Sequence, residues 1–136
     1  MSRPPCVLIA PWATRTPDED AATTRAMLHL LALGWAPIFL PWALAPVLTD
    51  SDPGERATAL ACSASLLWLV ARDTHGEAFQ LPGRETEGMA HDREAWERYR
   101  AAWSSSYRAA GSLSVPLPAT VRTLTWTEAD APGGRR

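Results

Sequence analysis

The chain has 136 residues, a formal net charge of −2 and 46 % hydrophobic residues, which suits one domain with a real core and excludes two comfortable ones. The near-balanced charge and the lack of a basic run exclude a large nucleic-acid surface and an anionic membrane as partners. Every basic residue other than histidine is arginine, so a lysine Schiff base and a P-loop lysine are excluded as well.

Met1 to Pro5 leads straight into an apolar run, without a signal-peptide hydrophobic region. The longest apolar stretch, 36–48, is interrupted by Pro37, Pro41 and Pro46 and cannot form a spanning helix. A cytoplasmic protein is expected. Cys6 and Cys62 sit in apolar surroundings and read as buried free thiols.

Cys6-Val7-Leu8-Ile9-Ala10 is apolar throughout and reads as a central strand, buried on both faces and ended by Pro11. A loop over 12–19 leads to Asp20, a suitable N-cap, and to a helix over 21–33 with Ala22, Ala26, Met27, Leu30 and Leu33 on its apolar face. Gly34 ends that helix as its C′ residue. Residues 35–40 form a second strand, placed toward a sheet edge because Pro37 has no amide for a ladder.

The connection over 41–52, with Trp42 and Leu48, reads as a mobile segment. Ser51 or Asp52 then caps a helix with Pro53 near its first position and with Arg56, Ala57, Leu60, Ala61 and Ala64 on the inner side. Leu66-Leu67-Trp68-Leu69-Val70 is the expected third strand, followed by a polar loop over 71–85. A long helix runs from about Gly88 to Ala110, a fourth strand follows over 120–126, and 127–136 is a flexible tail.

Alternating strands and helices with short crossovers predict a right-handed parallel sheet. The fold class is α/β: a small Rossmann-like or flavodoxin-like three-layer sandwich with a mainly parallel sheet of about four strands, as a single domain over 1–126. In such sheets ligands bind beyond the carboxyl ends of the strands. Those ends place Pro11, Trp12, Thr14, Trp42, Asp73, His75 and the helix start at Gly88 and Met89 around a site, with Trp12 and Trp42 suited to stack on a base. Unpaired amides at that helix start suit a phosphate or a carboxylate.

Asp92 is the singular residue of the long helix. It interrupts the apolar stripe Met89, Trp96, Tyr99, Trp103, where an ionised side chain needs a partner or a use. Two uses are open: a structural carboxylate paired with Arg15 or Arg56 or taking backbone hydrogen bonds, or a functional one beside the pocket. The adjacent His91 reads as a surface or capping group in preference to a proton donor. Trp96 and Trp103 belong to the core or to a helix seam, and the far half of the helix, with Trp103 and Tyr107, suits a homodimer or a higher oligomer.

No Gly-x-Gly-x-x-Gly follows the first strand, no Walker sequence is present, and the three histidines, including His29, lie on separate elements without ligand spacing. Neither a cofactor nor a metal is expected.

Residues 7–99 resemble the nucleoside 2-deoxyribosyltransferase superfamily, its nucleotide N-glycosidase relatives and phage and bacterial domains close to them. The likeness lies in the strand Val7-Leu8-Ile9-Ala10, the helix ending in Gly34, the proline-containing second strand, the third apolar strand and Gly88-Met89-Ala90-His91-Asp92. The family's nucleophile is a glutamate closing a Gly-Thr-Ala-aromatic-Glu pattern. The resemblance implies that Asp92 occupies the nucleophile's position and that the loop 11–14 and the helix start surround a nucleoside or nucleotide.

The sequence departs from the family at three places. Asp92 is one methylene shorter than glutamate, Thr86 stands where the family has an aspartate, and a further aspartate at the start of the third strand is replaced within Cys62-Ser63-Ala64-Ser65. Two functions follow as expectations. One is cleavage or exchange of an N-glycosidic bond by a carboxylate nucleophile; the other is a non-catalytic nucleotide-binding or interaction protein of the same fold.

Overall fold

A computed structural model of the protein describes residues 3–11, 16–44, 52–73, 76–109 and 120–125. Four strands, β1 (Pro5–Ile9), β2 (Ala36–Ile38), β3 (Glu77–Gln80) and β4 (Arg122–Thr123), form one parallel sheet in the order β2-β1-β3-β4. Among the described residues four helices complete it: α1 (Pro17–Ala32), α2 (Leu40–Leu44), α3 (Pro53–Asp73) and α4 (Glu87–Ala109). The architecture is the three-layer α/β sandwich expected from the sequence.

β1 is central because both of its faces are apolar. Cys6, Leu8 and Ala10 pack with Ala26 and Leu30 of α1, while Val7 and Ile9 pack with Leu67 and Ala71 of α3 and with Met89 and Trp96 of α4. Pro37 lies in β2 at the sheet edge, where its missing amide interrupts no ladder. Gly34, at φ 99°, turns the chain out of α1 in the left-handed conformation that a C′ glycine adopts without steric cost.

Several expectations change. The third strand is not 66–70: those residues continue α3, and the strand is β3, inside the expected loop. Ala59, Ser63, Leu67 and Ala71 are buried at steps of four, a helical stripe that passes through the apolar run. A short run of this kind has no period of its own, and only its neighbours separate helix from strand. The same stripe corrects the inner face, since Arg56, Ala57 and Ala61 are exposed.

α1 begins earlier than expected, at Pro17, and its cap is Thr16 rather than Asp20. The Thr16 hydroxyl accepts from the Glu19 amide at 3.1 Å while the Thr16 amide donates to Glu19 Oε1 at 2.9 Å, a reciprocal capping box with proline at the first helical position. Residues 41–44 of the connection expected to be mobile belong, with Leu40 of the expected second strand, to the helix α2. Residues 127–136 lie outside the described residues. No described helix is long and apolar enough to cross a membrane.

Candidate active site

The strand order reverses between β1 and β3, because the connection through α1 leads from β1 to one neighbour, β2, and the one through α2 and α3 leads from β2 back past β1 to its other neighbour, β3. The carboxyl ends of these two strands therefore part at a crevice, where open α/β sheets bind ligands. A cavity of about 460 Å³ opens there. Its wall takes Ala10 from the end of β1, Pro41 and Leu44 from α2, Arg56, Ala59, Leu60 and Ser63 from α3, and 86–92 from the start of α4, Ala90 excepted.

Charged contacts fasten the segment that delivers α4. Arg84 donates through Nε and Nη2 to both carboxylate oxygens of Glu19, at 2.6 and 2.8 Å, tying the segment after β3 to the start of α1. Arg93 grips Glu85 in the same two-pronged way, at 2.7 and 3.2 Å, and Gln80 donates to Glu85 at 2.9 Å. Planar forks of this kind fix orientation as well as distance. Hydrogen bonds from Arg84 and from the Thr16 amide hold the Glu19 carboxyl down at about 2, and Arg93 with Gln80 lowers that of Glu85.

Thr86 follows as the N-cap of α4, its hydroxyl accepting from the Met89 amide at 3.2 Å and its carbonyl from the Ala90 amide at 2.9 Å. The amides of Glu87 and Gly88 are those that helical geometry leaves without an internal acceptor. Both residues line the cavity.

Asp92 stands one turn further along, with its side chain 18 % exposed. The Ser63 hydroxyl donates to Asp92 Oδ1 at 3.1 Å, and His91 Nδ1 lies 3.2 Å from the same oxygen. Burial pushes the Asp92 carboxyl above its ordinary value, against the lowering effect of the bonds from His91 and Ser63. A carboxylate so placed is more basic than one in water, and Oδ2 carries neither bond.

The residues expected at the site divide accordingly. Gly88, Met89 and Asp92 line the cavity, and Pro11 is buried next to the lining residue Ala10. Trp42 is half-exposed on α2, with its ring edge-on to Phe39 at 5.2 Å, while Pro41 and Leu44 supply that helix's share of the wall. Asp73 closes α3 and so leads into the amino end of β3, the opposite edge of the sheet from the cavity. That is a direct consequence of the displaced third strand. Trp12, Thr14, Arg15 and His75 lie outside the described residues.

Ser63 was legible only as part of a replaced strand motif, yet it sits mid-helix in α3 and reaches Asp92 across 29 positions of sequence. The signal for it was a small polar residue in the stripe Ala59, Ser63, Leu67, Ala71. His91 is neither cap nor plain surface, because Thr86 caps α4 and the imidazole bonds to Asp92 in the cavity wall. Among the described residues no three His, Cys, Asp or Glu side chains come together as a metal site. No family model, curated protein or solved structure matches the chain.

Proposed function

We propose that the protein cleaves or exchanges the N-glycosidic bond of a nucleoside or nucleotide, with Asp92 as the nucleophile. The observation that carries this reading is one carboxylate, largely buried in the wall of the switch-point cavity, held among the described residues through Oδ1. Oδ2 would bond to C1′ as the C1′–N pair leaves with the base, through a transition state of oxocarbenium character, and water or a second base would then resolve the glycosyl ester. The cavity volume falls within the range of small-molecule sites. The α4 amides of Glu87 and Gly88 suit an anionic group on the substrate.

A panel of the four common 2′-deoxynucleosides and their 5′-monophosphates, followed for free base by chromatography, tests the reading. Release from at least one, lost by more than about 10⁴-fold in Asp92→Ala, is the expected result. No release from any member refutes it.

Thr86 favours a second reading. Its hydroxyl caps α4, at the position where the resembled family has an acid, and it brings no proton-transfer group to the cavity. A non-catalytic nucleotide-binding protein would be stabilised thermally by a member of the same panel and leave it intact.

A further inference from the structure

Both described hydrogen bonds to the Asp92 carboxylate converge on one oxygen. Ser63 Oγ, from α3, and His91 Nδ1, from α4 itself, approach Oδ1 at 3.1 and 3.2 Å. The two donors come from different helices, so their convergence is a product of the α3–α4 packing and not of one local turn. Ser63 is 93 % buried by its 7 % exposure, whereas the His91 side chain is 40 % exposed and borders the cavity.

Donors on a carboxylate act differently in the two halves of a displacement. Before attack they withdraw electron density and blunt the nucleophile. After attack through Oδ2, Oδ1 becomes the carbonyl oxygen of a glycosyl ester, and the same donors stabilise the negative charge that returns to the carboxylate as the ester breaks. Burial works the other way and keeps the free carboxylate reactive. Both donors lie on the carboxylate and hence on the face of the sugar from which it attacks, opposite the departing base, which suits them to the departure of Asp92 and not to protonation of the base.

We propose that Ser63 and His91 form a two-donor cradle on Asp92 Oδ1 that drives release of Asp92 from C1′, making them positioning residues for the second half of the reaction. The inference rests on the reading of Asp92 as nucleophile. In the first half Oδ2 bonds to C1′ and the base departs with the C1′–N electron pair, taking a proton from water. In the second, a water oxygen bonds to C1′, the C1′–Oδ2 pair returns to Asp92, and the water's proton passes to solvent. The neutral imidazole with its proton on Nδ1 is sufficient for this role.

The test follows free base on rapid mixing, and the intact mass of protein quenched at steady state, with the same panel of 2′-deoxynucleosides and 5′-monophosphates. His91→Ala is expected to slow turnover by about 10²-fold, as loss of one such donor does. It is also expected to show a burst of base close to one equivalent and a protein population carrying the deoxyribosyl or phosphodeoxyribosyl adduct. Ser63→Ala should shift in the same direction. His91→Asn, whose side-chain amide can place a donor near the position of Nδ1, should recover turnover and lose the adduct. Circular dichroism and thermal unfolding show that each variant is folded.

Slower turnover without burst or adduct, or His91→Asn behaving as His91→Ala, overturns the cradle while leaving the nucleophile in place. A wild-type protein that releases no base and no variant of which forms an adduct overturns the reading of Asp92, and the cradle with it.

Discussion

Among single residues, Asp92 is one whose charge costs the fold stability. Burial is the largest influence on its carboxyl and raises it, so the charged form is disfavoured in the folded state relative to the unfolded chain. Stability associated with a raised carboxyl is present below the ordinary value of 3.8 and is lost as pH rises through the folded value. At neutral pH the protein therefore bears the penalty. Asp92→Asn, which retains the shape without the charge, is expected to resist urea better than the wild-type protein at pH 7, with the difference closing as pH approaches 3.8. Equal or lower stability of the variant at pH 7 would show that the bonds from Ser63 and His91 outweigh burial. The interruption of the stripe Met89, Trp96, Tyr99 was visible in the sequence because a charged residue at helical spacing among apolar ones is itself the anomaly. Its partners were not visible, since Ser63 is brought to it only by the packing of α3 on α4.

At the scale of elements, the third strand shows where local reading fails. Leu66-Leu67-Trp68-Leu69-Val70 has the composition of a buried strand but extends α3, with Trp68 edge-on to Tyr99 of α4 at 5.2 Å and Leu69 51 % exposed. β3 has only Ala78 and Phe79 as its apolar centre, and its flanks are polar residues with partners elsewhere: Glu77 pairs with Arg122 at 2.7 Å and Gln80 bonds to Glu85. Tertiary partners thus make a strand of residues with little strand signal. Gly76 sets where this strand begins. A Cβ there would collide with the Pro5 carbonyl oxygen at the start of β1, and the Gly76 carbonyl accepts from the buried Arg100 at 2.9 Å. Arg100 in turn lies 4.6 Å over the Trp96 ring, and burial lowers its guanidinium to about 10, still protonated at neutral pH. Gly76→Ala is expected to lose about 1–3 kcal/mol in equilibrium urea unfolding, the ordinary penalty of forcing a methyl into a packed contact. An unchanged midpoint would show that β1 and β3 can separate there freely. The cap of α1 is the opposite case, because Thr16-Pro17-Asp18-Glu19 carries both the capping-box spacing and the proline, a local signal that the choice of Asp20 as cap passed over.

At the scale of the whole molecule, the ion pairs around the carboxyl edge of the sheet link acid stability to the site. Glu19 has its carboxyl lowered from 4.5 to about 2, chiefly by the bond from Arg84. Stability from a lowered carboxyl is full above the unfolded value and is lost as pH falls through the folded one, here between 4.5 and about 2. Glu85, lowered by Arg93, acts in the same direction, and Asp92 in the reverse. Glu19→Gln is expected to flatten the fall of the urea midpoint across that interval, because both the titrating group and the anchor of Arg84 are removed. An unaltered acid branch would assign acid unfolding to other groups. The alternation of strands and helices, the central place of β1, the edge place of β2, the turn at Gly34 and the acid at the start of α4 were all readable along the chain. Each of these depends on short-range chemistry: side-chain period, a missing amide, a left-handed backbone, a charge in an apolar stripe. Packing settled which segment becomes the third strand, and with it that Asp73 lies at the far edge and that Ser63 reaches the neighbouring His91 and Asp92 in one cavity. Those outcomes depend on contacts between residues far apart in the chain, which no local pattern specifies.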